Sequence, residues 1–364
     1  MRFQEFRQVL TEAAKVGREY QHLEDLVFVD GSKGAERAAD ILEKLGDDNS
    51  DVAIKWDGYP TMYWGRDENG QFVLVGKNGW LKGNVSTSAD ELRNFITSTG
   101  KGEDWRERFA NEMGEIFNIV EGATPDDFRG YVYGDLLYHP GKPYETKDNS
   151  IVFTPNQVTY TVDANSELGK RIANSTVGVV VHTKFDEFGS KSGSPISDVE
   201  SLNGNGVVVL GQTYVTHQPN IDMSEVDEIR RMAASNAGLI DKFLAGQQGL
   251  SNVPQIIYTY MNQMSKAQKL GEIESKFFDW LKTSKVSQNQ QAKLAQMNEE
   301  MPKALPAIFG LVKKVMAAKD HIINQLDDAD ADVKQSTKGE KGGEGYVALG
   351  SKTKLVPRGR WQPS

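Results

Sequence analysis

The chain of 364 residues contains no cysteine. That excludes a disulfide scaffold, a thiolate-bound metal centre and a thiol nucleophile, and it suits a reducing compartment. Histidine is scarce: His22, His139, His182, His217 and His321 are scattered rather than gathered at metal-ligand spacings. His182, at the end of a valine-rich run, reads as a structural residue. No stretch of about 18 uncharged apolar residues occurs, so no membrane-spanning helix is expected. Residues 1–7 mix acids and bases where a secretory signal needs an apolar run, which points to a cytoplasmic protein. No G-x-x-x-x-G-K-S/T loop is present, which excludes a P-loop ATPase. Positive charge is in deficit: 42 Lys and Arg against 51 Asp and Glu leave a formal net charge of −9. Such a chain does not coat nucleic acid or anionic membrane by bulk charge, but a local basic groove is compatible with it.

What is present changes in texture along the chain. Phe3, Phe6, Val9 and Leu10 recur at helical spacing, and an Ala/Leu/Lys/Glu-rich run from Ala35 stops at Gly46. Short β-branched and aromatic runs then predict strands at 52–54, 62–64, 72–75, 131–133, 158–162 and 177–181. Asn69-Gly70 turns a hairpin between two of them. Helices are expected at 89–95 and 105–120. From Ser224 to Leu326 the pattern is helical, with Ile308, Leu311, Val315 and Ala318 on one buried face. Residues 327–343 are rich in Asp, Lys and Gly and read as a flexible linker. Two last strands are expected at 345–349 and 353–356. The predicted organisation is an α+β core over 1–220, a helical insertion over 221–330, and a linker with the last core strands over 331–364.

The chemistry concentrates in Lys55-Trp56-Asp57-Gly58, which comes directly after the apolar run Val52-Ala53-Ile54. A lysine at a strand end is held more tightly than one in a loop. As a nucleophile its amine must lose a proton, which calls for burial or neighbouring cations. The glycine permits a tight turn and a close backbone approach to a ligand. Alone, Lys-x-Asp-Gly is a common tetrapeptide. Its meaning comes from the ordered set of motifs downstream: Lys77-Asn78-Gly79, Gly134-Asp135-Leu136, the aromatic Phe153 and Tyr160, Glu344-Gly345-Tyr346-Val347, and Lys352-Thr353-Lys354.

In that order the chain resembles the covalent nucleotidyltransferases, the superfamily of ATP-dependent RNA and DNA ligases and mRNA capping enzymes. The resemblance implies an ATP-grasp-like adenylation fold of antiparallel sheets with flanking helices, here with an all-α inserted domain. It implies that Lys55 becomes a lysyl-AMP phosphoramidate, with Lys352 and Lys354 facing the triphosphate. Glu344 and Asp135 would hold Mg²⁺ (or Mn²⁺) or the ribose hydroxyls. Tyr160 or Phe153 would stack on adenine, and Lys77 would reach the ribose or a phosphate. Ile54, Trp56, Asp57 and Gly58 would line the nucleotide site. The implied partners are ATP and polynucleotide ends bearing a 5′-phosphate and a 3′-hydroxyl.

Over nearly its whole length the chain is also similar to a group of proteins encoded by tailed phages of the myovirus type. His22-Leu23-Glu24-Asp25-Leu26, Gly34–Ala38, Thr154-Pro155-Asn156 and Gly178–Thr183 carry that likeness together with the motifs above. A phage origin would place the protein in the host cytoplasm. Ten residues come after Lys354, too few for the OB-fold domain usual after this strand in DNA ligases and capping enzymes. That leans toward RNA end joining. DNA nick sealing, or an inactive relative that binds nucleic acid or a virion partner, stays open. In the tail, Pro357-Arg358-Gly359-Arg360-Trp361 offers two cations for phosphates and one ring for a base.

Overall fold

The structure, a computed structural model, describes residues 21–98, 104–196, 199–329 and 331–359. The helical spacing of Phe3 to Leu10 lies outside the described residues, as do Arg360 and Trp361.

In chain order, β1 (Gln21–His22) leads through helices Leu26–Val29 and Gly31–Asp47 to β2 (Val52–Ile54). The hairpin β3 (Thr61–Arg66) and β4 (Phe72–Gly76) is next, then helices Lys77–Lys82, Ala89–Ser98 and Asp104–Ala123. After them come β5 (Gly130–Tyr138), β6 (Glu145–Lys147), β7 (Ser150–Phe153), β8 (Val158–Asp163), helix Glu167–Ala173, β9 (Val177–Phe185), β10 (Ser194–Pro195) and β11 (Val207–Leu210). Helices then run from Met223 to Asp328, and β12 (Val333–Thr337), β13 (Glu340–Lys341), β14 (Tyr346–Ala348) and β15 (Thr353–Leu355) close the chain. The class is mixed α+β, and most strand pairs are antiparallel.

The chain divides into two compact units that interleave along the sequence. The first comprises Met1–Ile54, Tyr214–Ala329 and Glu344–Ser364, and the second Lys55–Thr213 and Asp330–Gly343. The residues expected as a helical insertion thus do not stand alone. Helix Gly31–Asp47 turns Ala35, Ala38, Ala39, Leu42 and Leu45 inward, and packs on helix Met223–Ala245, which buries Val226, Ile229, Ala233 and Ile240. Small alanines on one face let the two backbones approach closely.

The first unit also holds a sheet in the order β1-β15-β14-β2. Beside it lies a buried charge cluster. Lys319 donates to Glu24 at 2.8 Å with both side chains fully buried. Arg358, 3% exposed, ion-pairs with Glu24 at 3.3 Å and with Asp25, and donates to Asn262 at 2.9 Å. The expectation that the tail offers Arg358 to phosphates is therefore corrected: its guanidinium is consumed inside the protein, where a cation needs partners.

In the second unit β10-β9-β5-β3-β4 form one sheet, with β11 parallel on β9. One face buries Met62, Trp64, Val132, Leu136, Val179 and Val181 under helices Ala89–Ser98 and Asp104–Ala123. The other face carries the aromatic cluster Tyr63, Trp80 and Tyr131. A second sheet runs β13-β12-β8-β7-β6. Its β12 and β13 lie in the segment expected as linker, which is thus ordered sheet. Val333 and Gln335 face inward while Lys334 faces solvent, so a polar composition here conceals a strand with one buried side.

Candidate functional site

Alternation along β5 builds the site. Val132 and Leu136 enter the helix-covered core, so Tyr131, Tyr133 and Asp135 fall on the opposite face. The same rule places Thr61 and Tyr63 of β3 beside them, since Thr61 pairs with Asp135 and Tyr63 with Tyr133. Thr61 Oγ1 donates to Asp135 Oδ1 at 2.6 Å. His182 Nε2 lies 3.2 Å from Asp135 Oδ2. Burial first, and then the Asp135 charge, push the Tyr63 phenol up to about 12 and raise Tyr133 as well.

The Lys55–Gly58 loop is fixed against this strand. Gly58 has no room for a side chain: a Cβ would lie 2.6 Å from Leu136 O and 2.7 Å from Asp135 Cβ. Tyr59 N donates to Leu136 O at 2.8 Å, and Leu136 N returns a bond to Pro60 O at 3.0 Å. The close approach expected of this glycine is made, but to β5. Upstream, the Tyr160 hydroxyl accepts from Asp57 N at 2.6 Å and donates to Lys55 O at 3.4 Å. Asn156 Nδ2 donates to Asp57 Oδ2 at 2.9 Å, and Trp56 Nε1 donates to Thr213 Oγ1 at 3.1 Å. Lys55 itself is partly exposed.

The aromatic residues take a different role from the one expected. Trp56, Phe153 and Tyr160 are 4%, 3% and 0% exposed. Their rings pile on one another, Trp56 to Tyr160 at 4.6 Å and Phe153 to Tyr160 at 5.6 Å. A ring with no free face does not stack on adenine, so this pile supports the loop from beneath instead. Ile54 is likewise buried, paired with Tyr346 across β2 and β14.

Lys77 is exposed at the first turn of helix Lys77–Lys82. Gly76 pairs with Met62 and Thr61 with Asp135, so Lys77 leaves β4 at the end of the sheet where Asp135 sits. Glu344, Lys352 and Lys354 belong to the first unit. Glu344 is buried at the entry to β14. Gly345 has φ +93° and a Cβ there would meet Leu355 O at 2.4 Å, so only glycine lets β14 run against β15. Lys354 sits in β15 opposite Val347 and beside His22. Lys352 is not in that strand. It occupies the left-handed turn before it, at φ +52°, just ahead of the strand expected from residue 353.

Among the described residues no three His, Asp or Glu side chains gather as a metal cage. A magnesium ion carried on nucleotide phosphates needs only one or two protein carboxylates. Asp135 fits that lesser requirement, since a carboxylate with one bond on each oxygen retains lone pairs. Thr61 went unnoticed in the sequence, His182 read as structural, and Asn156 stood out only as part of Thr154-Pro155-Asn156. Thr61 and His182 become legible only once the strand register is known.

The chain matches the family of unknown function DUF6267 over residues 19–361. It belongs to that family. No curated protein and no solved structure matches it. The DUF6267 match spans both units, so the family unit is the interleaved pair and not the strand-rich part alone. No helix among the described residues of this DUF6267 chain is long and apolar enough to cross a membrane.

Proposed function

We propose that this chain is a covalent nucleotidyltransferase, an ATP-dependent polynucleotide ligase with the adenylation fold of that superfamily. The observation that carries the reading is the loop Lys55–Gly58, fixed by Tyr160 on one side and by β5 on the other, where Gly58 packs against the backbone and Cβ of Asp135. A nucleophile anchored by its own backbone loses little freedom on reaching the reactive geometry.

In this reading the Lys55 amine attacks the α-phosphorus of ATP, a P–N bond forms and pyrophosphate leaves with the broken P–O bond. Asp135 orients the nucleotide through its ribose or its phosphate-bound cation, and Lys77 offers charge at the same end of the sheet. The cation, when bound, offsets charge on the phosphates. A 5′-phosphate oxygen of a polynucleotide then displaces Lys55 from phosphorus, and a 3′-hydroxyl attacks the activated end and releases AMP. Glu344, Lys352 and Lys354 enter the reading through the sequence pattern alone, and RNA ends are the first substrate to try.

The test is incubation with α-labelled ATP and Mg²⁺ or Mn²⁺, then a denaturing gel. A labelled protein band is expected from ATP, none from Lys55→Ala, and none from GTP. Absence of a band with every divalent metal tried would overturn the reading and leave an inactive relative. Nicked DNA, nicked RNA and single-stranded RNA with 5′-phosphates then separate the substrates.

A further inference from the structure

His182 sits at an irregularity in the sheet. Along β5 and β9, Tyr133 pairs with Thr183 but Gly134 pairs with Val181, so His182 is the additional residue on β9. Bulges beside a site re-aim a side chain and increase the local twist. The partner strand is shaped for it: a Cβ on Gly134 would lie 2.2 Å from Val180 O, so only glycine lets the strands approach here. At this irregularity the imidazole of His182 meets the Asp135 carboxylate, and its ring centroid lies 5.4 Å from that of Tyr133. The two oxygens of Asp135 therefore have separate donors, Thr61 on Oδ1 and His182 on Oδ2. An ionised carboxylate only accepts, so Nε2 carries the proton in this contact. Asp135 is 15% exposed and His182 33%, which leaves the pair reachable from solvent.

We infer that His182 is a positioning residue for Asp135. The bulge aims its Nε2–H at Oδ2, Thr61 holds Oδ1, and the carboxylate turns its remaining lone pairs to the nucleotide in one fixed direction. This rests on the adenylation reading for the identity of the ligand, but not for the clamp itself.

Two substitutions test it. His182→Leu fills the space without a donor, and His182→Gln keeps an amide N–H within reach. Three quantities are measured on the full chain: the tautomer of His182 by nitrogen-15 NMR with Asp135→Asn as reference, the Kd of ATP by calorimetry, and lysyl-AMP formation against ATP concentration. His182 is expected as the Nε2–H tautomer, with a resonance that moves in Asp135→Asn. His182→Leu is expected to raise Kd and KM about tenfold or more, the effect of one hydrogen bond to a charged group, with kcat changing much less. His182→Gln should recover most of that loss. Equal damage in both variants, no damage in His182→Leu, or an Nδ1–H tautomer indifferent to Asp135→Asn would overturn the proposal. If wild-type protein takes no label, the ligase reading fails, and the tautomer measurement alone decides the clamp.

Discussion

Single residues in this protein carry two kinds of burden. Tyr160 was legible as an aromatic in a strand, but its exposure was not, and burial turns a base platform into a pillar. Its hydroxyl holds both Lys55 O and Asp57 N. Tyr160→Phe is expected to cost about 1–3 kcal/mol, since it leaves the Asp57 N–H without this acceptor. Urea denaturation measures that cost, and in the proposed adenylation reading the lysyl-AMP label should fall with it. Arg358 carries the opposite burden, balancing Glu24 and Asp25. Arg358→Met should cost about 3–5 kcal/mol, because it strands buried carboxylates. A change below about 1 kcal/mol in denaturation would show the cluster to be dispensable. Burial pushes the Asp25 carboxyl up to about 6, more than the Arg358 charge pulls it down. The folded chain then keeps a proton that the unfolded chain loses near 3.8, the ordinary value. Stability from this group is present at low pH and lost as pH rises to about 6. Asp25→Asn should flatten the urea midpoint between those pH values relative to wild type.

Elements were the most legible level. Runs of β-branched and aromatic residues found the strands around Tyr63, Val132 and Val179, and helical spacing found helix Ala304–Asp328. Missed were β1, β6, β7 and all of β10 to β13. Val207–Leu210 is buried throughout and shows no alternation, and Val333–Thr337 hides two inward residues in a polar stretch. The turn into β15 also differs: Lys352 takes a left-handed conformation that a run of Lys-Thr-Lys does not announce. Gly345 is the hinge of the same strand pair. Gly345→Ala should cost about 2 kcal/mol or more, from a positive φ and a backbone clash that no rotamer relieves. Loss of amide protection in β14 and β15, with the second unit unaffected, is the hydrogen-exchange signature expected.

At the scale of the whole molecule the two units interleave along the chain, so neither is expected to fold from one continuous stretch of sequence. β12 lies between β8 and β13, so residues 55–213 alone would expose β8 as an edge. Residues 221–330 alone would lack helix Gly31–Asp47, on which helix Met223–Ala245 packs. A fragment of 221–330 is therefore expected to show no cooperative thermal transition, whereas the full chain does. A cooperative melt of the fragment would show that the helices fold as a separate insertion after all.

The sequence by itself determined the order of the candidate motifs along the chain: the Lys55–Gly58 tetrapeptide, Asp135 after Gly134, and the late Glu344 and Lys354. Those are local facts, set by residue type and spacing. It also determined most secondary structure, because amphipathic period is a local property. Only the tertiary structure decided which faces meet. It made Tyr160 a buried strut, consumed Arg358 in an ion cluster, turned a supposed linker into β12, and brought His182 to Asp135 through a bulge. Each of these depends on strand register or on a partner far away in the chain, and a sequence read residue by residue contains neither.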